Sequence, residues 1–255
     1  MLSWKSAPAT SPVSPSFLER EDLTDFCGMR AIQCFACFLW TLGMSAPVWG
    51  QNDAAPDSVP AYLLEVVKME ATQRGLSRYE IHLQLPEGHR VSALFGTDTY
   101  PMTLHAPKGV FNSPYNGSWS ATGMNAKFFD AMPTMQDDTY ATIGLRTGAR
   151  ASGIEGAADP TMVQDPGNPW DDFFTQDGET TLAIDTHTGG SWFVLRSATN
   201  GAPVDGHVLL LQVSTSGKLS GAINVQVFPL VPEYSQLRMR FEFDGEGLFQ
   251  GTIID

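Results

Sequence analysis

Tyr79-Glu80-Ile81-His82-Leu83-Gln84-Leu85 alternates apolar and polar residues without a break. Successive side chains of an extended chain point to opposite faces, so Tyr79, Ile81, Leu83 and Leu85 share one side and Glu80, His82 and Gln84 the other. The stretch reads as a strand with one buried and one wet face. Leu237-Arg238-Met239-Arg240-Phe241-Glu242-Phe243-Asp244 repeats the pattern near the far end. A slip of one residue would turn either apolar set to solvent, so burial fixes both registers. Around these two anchors the texture stays β. Tyr62 to Met69 and Arg90 to Phe95 are further apolar runs, and Pro86-Glu87-Gly88 reads as a hairpin turn into the latter. Val208 to Val213 and Leu219 to Phe228 flank Ser214-Thr215-Ser216-Gly217-Lys218, which reads as a second hairpin. Gly245-Glu246-Gly247 turns the chain into Leu248 to Ile254. About ten strands at this spacing predict an all-β fold, a single antiparallel, jelly-roll-like β-sandwich. It is expected to span residues 61–255.

One short helix is predicted over 125–131. Asn125 would cap Ala126 to Ala131 ahead of Pro133, packing Phe128 and Phe129 under the sheet. Between Gly148 and Gly178 the chain is rich in Gly and Pro and reads as a loop, of a length that is usually functional.

Ahead of the β region, Met29-Arg30 precedes a mostly apolar run from Ala31 to Leu42, which ends in Ser45-Ala46-Pro47-Val48-Trp49-Gly50. A positive start, an apolar middle and small residues at the end make residues 29–50 a secretory signal, with Gln51 as the expected mature start. Export places the protein in the medium or at the cell surface. The alternative is a membrane anchor, since the run approaches bilayer length. Residues 1–28 suit neither: Glu19, Glu21, Asp22 and Asp25 stand where a signal is positive. They read as a disordered or mis-annotated upstream segment. Residues 51–60 form a linker.

Cys27, Cys34 and Cys37 all precede Gln51, so the expected mature chain has neither disulfides nor thiol chemistry. About 200 residues bury enough surface to do without staples. Residues 51–255 keep 24 of the 28 acidic residues and 12 of the 15 Lys and Arg, a net charge near −12. That excludes nucleic acid, whose phosphates demand a basic footprint, and disfavours anionic membrane surfaces. An extracellular glycan or a surface protein is the class of partner left.

The middle of the chain has a texture of its own: Gly109-Val-Phe-Asn-Ser-Pro-Tyr-Asn-Gly117, Met124-Asn-Ala-Lys-Phe-Phe129, Met132-Pro133 and Asp137-Asp-Thr-Tyr-Ala-Thr-Ile-Gly144. Gly189-Gly-Ser-Trp-Phe193, Gly206-His-Val-Leu-Leu-Leu-Gln212 and Leu219-Ser-Gly-Ala-Ile-Asn-Val-Gln226 follow. From Leu83 to Gln226 this resembles a group of uncharacterised secreted β-rich modules of marine microbes. Those carry Asn-Pro-x-Phe-Phe, then Pro, then Asp-Ser-x-x-Thr-Ile-Gly, and end in Asn-x-Gln. Ala126 and Asp138 stand here where the group has Pro and Ser. The resemblance implies no activity, cofactor or catalytic residue.

Several groups of residues carry chemistry worth weighing. Asp165, Asn168, Asp171 and Asp172 crowd one loop and offer oxygen ligands to calcium, the only cofactor the sequence suggests; an acidic surface loop is the plainer reading. Glu242, Asp244 and Glu246 would line one face if the strand ran through Gly245, as in the catalytic strand of laminarinase-type glycoside hydrolases. Gly245 reads instead as a turn. Trp119, Trp170 and Trp192 could stack a sugar or fill a core. His82, His89, His105, His187 and His207 lack metal spacing, and Ser191 lacks a nucleophile elbow. Asn116-Gly117-Ser118 is a glycosylation sequon or a tight Asn-Gly turn. These weigh toward an exported, non-enzymatic module of the cell surface or matrix. A carbohydrate-binding module, marked by an exposed Trp or Tyr row, is the alternative, and a glycoside hydrolase the third.

Overall fold

The computed structural model describes residues 61–229 and 235–254. The readings made for residues 1–60, export signal included, lie outside the described residues. The described chain forms β1 (Leu63–Glu70), β2 (Ser77–Gln84), β3 (Arg90–Gly96), β4 (Met102–His105), β5 (Tyr140–Ala141), α1 (Ala149–Ser152), β6 (Thr161–Val163), α2 (Asp172–Thr175), β7 (Thr181–Ile184), β8 (Gly190–Phe193), β9 (His207–Thr215), β10 (Ser220–Phe228), β11 (Leu237–Asp244), β12 (Gly247–Gln250) and β13 (Thr252–Ile254). These strands make two antiparallel sheets packed as a β-sandwich. The first sheet runs β12-β1-β2-β9-β5. The second runs β13-β11-β10-β3-β8-β6, with β4 continuing beside β10 and β7 beside β4.

Both anchoring stretches are strands in the expected register. Tyr79, Ile81, Leu83 and Leu85 are buried, as are Leu237, Met239, Phe241 and Phe243. They meet Leu64, Val66, Val91, Leu94, Leu104, Leu211, Val213, Ile223 and Val225 in one core between the sheets. Aromatic rings cluster in part of it. Trp192 lies 5.4 Å from Trp170 and 6.0 Å from Phe174, centroid to centroid, and Trp170 lies 5.6 Å from Trp119.

The expected hairpins are corrected. β2 pairs with β1 and β9, whereas β3 pairs with β10 and β8, so Pro86-Glu87-Gly88 carries the chain between sheets. Likewise β9 belongs to the first sheet and β10 to the second, so the turn at 214–218 is also a crossover. In each case the neighbouring strands bury their apolar sides against one another across the core. A short polar turn reverses direction equally well in either arrangement. The last strand changes sheets too. β12 pairs with β1, β13 pairs with β11, and the chain bends between them at Gly251. A Cβ there would sit 2.4 Å from Cε1 of Phe241, so the corner has room only for glycine.

The predicted helix is reduced to one 3₁₀ turn, Ala126–Phe128, whose Asn125 side chain accepts from the Lys127 amide at 3.1 Å. Phe128 is exposed rather than packed under the sheet. Phe129 and Met132 instead pack on a second small core of Ala121, Met124, Met135 and Tyr140. The stretch between Gly148 and Gly178, read as a loop, holds α1, β6 and α2. Its α2 turn drives Phe173 and Phe174 into the main core.

Candidate functional site

Alternation along β2 puts Glu80, His82 and Gln84 on the outer face of the first sheet. There they lie beside Glu65 of β1 and Leu209 and His207 of β9, through the pairs Glu65↔His82, His82↔Leu209 and Gln84↔His207. Half of this face is roofed. The segment around Gln136–Asp138 crosses it, with the Gln212 side-chain amide donating to the carbonyls of Gln136 and Asp138 at 2.9 and 2.7 Å. Asp137 accepts from the backbone amides of Thr72 and Gln73, each at 2.8 Å, which ties the roof to the turn after β1. From the end of the roof Arg146 reaches down and holds Glu80 with both terminal nitrogens.

The unroofed half is a cleft of about 750 Å³. Glu65, Val67, His82, Arg146, His207 and Leu209 are among the residues that line it, and Ile154 and Val204 form its lips. Val204 is 69 % and Ile154 45 % exposed, both apolar. Beneath, Glu80 is only 3 % exposed. Burial would raise its carboxyl, but hydrogen bonds from His82 and Arg146, together with the Arg146 charge, outweigh it and bring the pKa down to about 2. His82 Nε2 lies 3.1 Å from Glu80 Oε2, and His207 Nε2 lies 3.0 Å from Glu65 Oε2. The floor therefore carries a fixed ion pair and two imidazoles, between apolar lips.

Sequence reading saw Glu80 and His82 as a wet strand face. The alternation located them correctly, but nothing local announced that Arg146, 66 positions on, would cover Glu80. The other clusters fare differently. Asp165 accepts from the Gly167 amide at 2.9 Å, and Asn168 pairs back with it across a tight turn. Asp171 precedes α2 and Asp172 begins it. Among the described residues no three His, Cys, Asp or Glu side chains gather closely enough to hold a metal, so Asp165, Asp171 and Asp172 are not brought together as a calcium site.

Glu242 and Asp244 project from the exposed face of β11, paired with Arg240 at 3.3 Å and Lys218 at 2.6 Å. The strand stops at Asp244, Gly245 takes φ 88°, and Glu246 lies in the turn beyond. The three carboxylates do not form one row. Trp170 and Trp192 are core residues and Trp119 packs against that core. Among the described residues no exposed row of Trp or Tyr exists; Tyr115 is the only such side chain more than half exposed. Asn116 makes the tight turn, its Oδ1 accepting from the Ser118 amide at 3.0 Å. Its Nδ2 is spent on Asp138 Oδ2 at 2.6 Å in a buried site.

Asp138, noted in the sequence where the resembled group has Ser, sits in a polar site of its own. It is fully buried and accepts from the Ser113 amide at 2.6 Å and from Asn116. Desolvation pushes its carboxyl up to about 7, against the opposing pull of those donors. Its contribution to stability is then fully present below the unfolded value near 4 and is lost as pH rises through 7, at up to about 1.4 kcal/mol per pH unit. Thermal denaturation is expected to show this slope between about pH 4 and 7 in the wild type and not in Asp138→Asn. The variant should be the less stable protein in acid, because its amide faces the Asn116 donor. Parallel pH profiles would remove Asp138 as the cause.

Comparison with protein-family models, curated proteins and solved structures finds no match.

Proposed function

We propose that this chain is an exported, non-enzymatic β-sandwich module of the cell surface or matrix that holds an extracellular ligand in the cleft above β1, β2 and β9. The observation that carries the reading is the cleft itself. It is the unroofed part of a sheet face whose other half is closed, and it presents two exposed apolar lips over an anchored charge pair. Concave sites that combine apolar walls with a few fixed polar groups are where proteins bind small ligands or chain segments. Acid–base chemistry is poorly served here. A carboxyl at about 2 is far from the range in which a proton shuttle works near neutrality, and Arg146 holds it there. Export is supported by the signal pattern of residues 29–50 and by the cysteine-free, acidic sequence that follows. Among the described residues no helix is long and apolar enough to cross a membrane.

Printed arrays of oligosaccharides and matrix proteins, probed with protein recovered from the culture medium, test the reading. N-terminal sequencing of that material should begin at Gln51. Val204→Asp is expected to weaken any specific interaction by about tenfold or more, a change of about 1.4 kcal/mol. Interactions untouched by Val204→Asp and by Arg146→Met would move the site elsewhere. Turnover of an arrayed ligand would overturn the non-enzymatic assignment.

A further inference from the structure

One lip of the cleft is a two-residue hairpin. Val204 and His207 exchange both backbone hydrogen bonds at 3.0 Å, and Asp205 and Gly206 fill the corner at φ 50° and 79°. Consecutive positive φ angles mark the type I′ turn, which favours Asp-Gly. Asp205 is the one non-glycine residue at positive φ among the described residues. His207 folds back over this corner. Its Nδ1 lies 2.7 Å from the Asp205 carbonyl oxygen, and its Nε2 lies 3.0 Å from Glu65 Oε2 on β1.

Both partners are acceptors. A backbone carbonyl has no proton to give. Glu65 Oε2 also accepts from the Gln84 side-chain amide at 3.3 Å, as an ionised carboxylate would. A neutral imidazole has one N–H and one lone pair, so between two acceptors it must turn the lone pair on one of them. The imidazolium, with two N–H groups, suits both.

We propose that His207 is a proton-operated clamp on the cleft. As imidazolium it ties the Asp205 corner of the lip to Glu65 in the floor; on deprotonation one of the two links is lost and the Val204–His207 lip loosens. The clamp rests on the reading of the cleft as a binding site and supplies its regulation. The charged and titratable groups facing the ring are Glu65 on β1, His82 and Glu80 on β2, Arg146 from the roof, and Asp205 in the lip itself. The His82 ring stands edge-to-face with it at 6.2 Å. The contact of His82 with Glu80 is complete with a neutral Nε2–H tautomer, so His82 has no need of a charge that would oppose one on His207.

Nitrogen-15 spectra of the full chain test the clamp, over the window between about pH 5 and 8 in which histidine side chains change charge. At the acid end both ring nitrogens of His207 should report N–H. Toward pH 8 one proton is lost, and the exchange protection of the Val204 and His207 amides should fall by about tenfold relative to the β2–β9 ladder. Glu65→Gln is the discriminating variant. A glutamine amide can donate to neutral Nε2 while Nδ1–H keeps the Asp205 carbonyl, so the lip should stay protected across the range. Two outcomes would overturn the clamp: a single neutral tautomer of His207 at the acid end, or a lip whose protection changes with pH equally in wild type and variant. No ligand is involved, so the clamp and the binding reading can fail separately.

Discussion

Trp192→Ala is expected to cost about 3–5 kcal/mol, the usual toll of removing a large buried aromatic. For a domain of this size that lowers the melting temperature by on the order of 10 °C. Trp192 is fully buried and is in ring contact with Trp170 and Phe174. Its indole N–H donates to the Thr142 carbonyl at 3.2 Å. Alanine would leave a cavity at the junction of β8, α2 and the 142–145 segment, and an acceptor without its donor. Trp192→Phe should recover part of the loss, because a ring remains to fill the space while the hydrogen bond is gone. Trp119→Ala should cost less than Trp192→Ala, since that ring is only partly buried. The three substitutions also discriminate between uses of tryptophan. A sugar-stacking platform would lose ligand and keep its stability, whereas a core loses stability first. Near wild-type melting of Trp192→Ala would show that the aromatic cluster does not hold the sheets together.

The fold class was legible because two strands carry unbroken alternation. The seven residues from Tyr79 and the eight from Leu237 each permit one buried face, and both faces are buried as read. Pairing was not legible. Pro86-Glu87-Gly88 and the 214–218 turn have hairpin composition, but whether the following strand lies beside its predecessor or opposite it depends on apolar surface far along the chain. β9 illustrates this. Covered on both sides, by the core and in part by the roof, it reads as a continuous apolar run with no wet face to place it. The roof had even less local signal. It hangs on Asp137, Asp138, Asn116 and Gln212, polar residues that composition assigns to the surface and that are buried because each bonds a backbone group or a neighbouring side chain. The candidate cleft inherits that blindness: alternation placed His82, while Glu65 lay in a stretch read only as an apolar run, Ile154 in one read as loop, and Arg146 and Val204 in stretches that carried no reading. Acid density, by contrast, was a poor guide. Asp165 is engaged by the Gly167 amide, and Glu242 and Asp244 by neighbouring cations.

Arg146→Met tests whether the floor of the cleft is held as the geometry implies. The guanidinium contacts Glu80 with both terminal nitrogens, and methionine keeps the length of the side chain without its charge. Removing one partner of a buried pair usually costs about 3–5 kcal/mol, because the other charge is left uncompensated. Here the Arg146 side chain is 60 % exposed, so water can enter where the guanidinium was, and the expected loss is nearer 1–3 kcal/mol. The pH dependence separates this from lost packing. With its pKa drawn down to about 2, Glu80 contributes stability that is present above the unfolded value near 4.5 and is lost as pH falls through 2. In Arg146→Met burial opposes ionisation with only His82 to counter it, so this acid-side loss should shrink. Glu80→Gln should abolish it, and the double variant should cost less than the sum of the singles, since each substitution removes the same interaction. Denaturant titrations of the four proteins at about pH 7 and pH 3 give all these quantities, as differences in midpoint at constant slope. Additive losses with an unchanged acid limb would mean that Arg146 only covers Glu80 and does not set its charge. The cleft would then have a passive wall in place of an anchored cation.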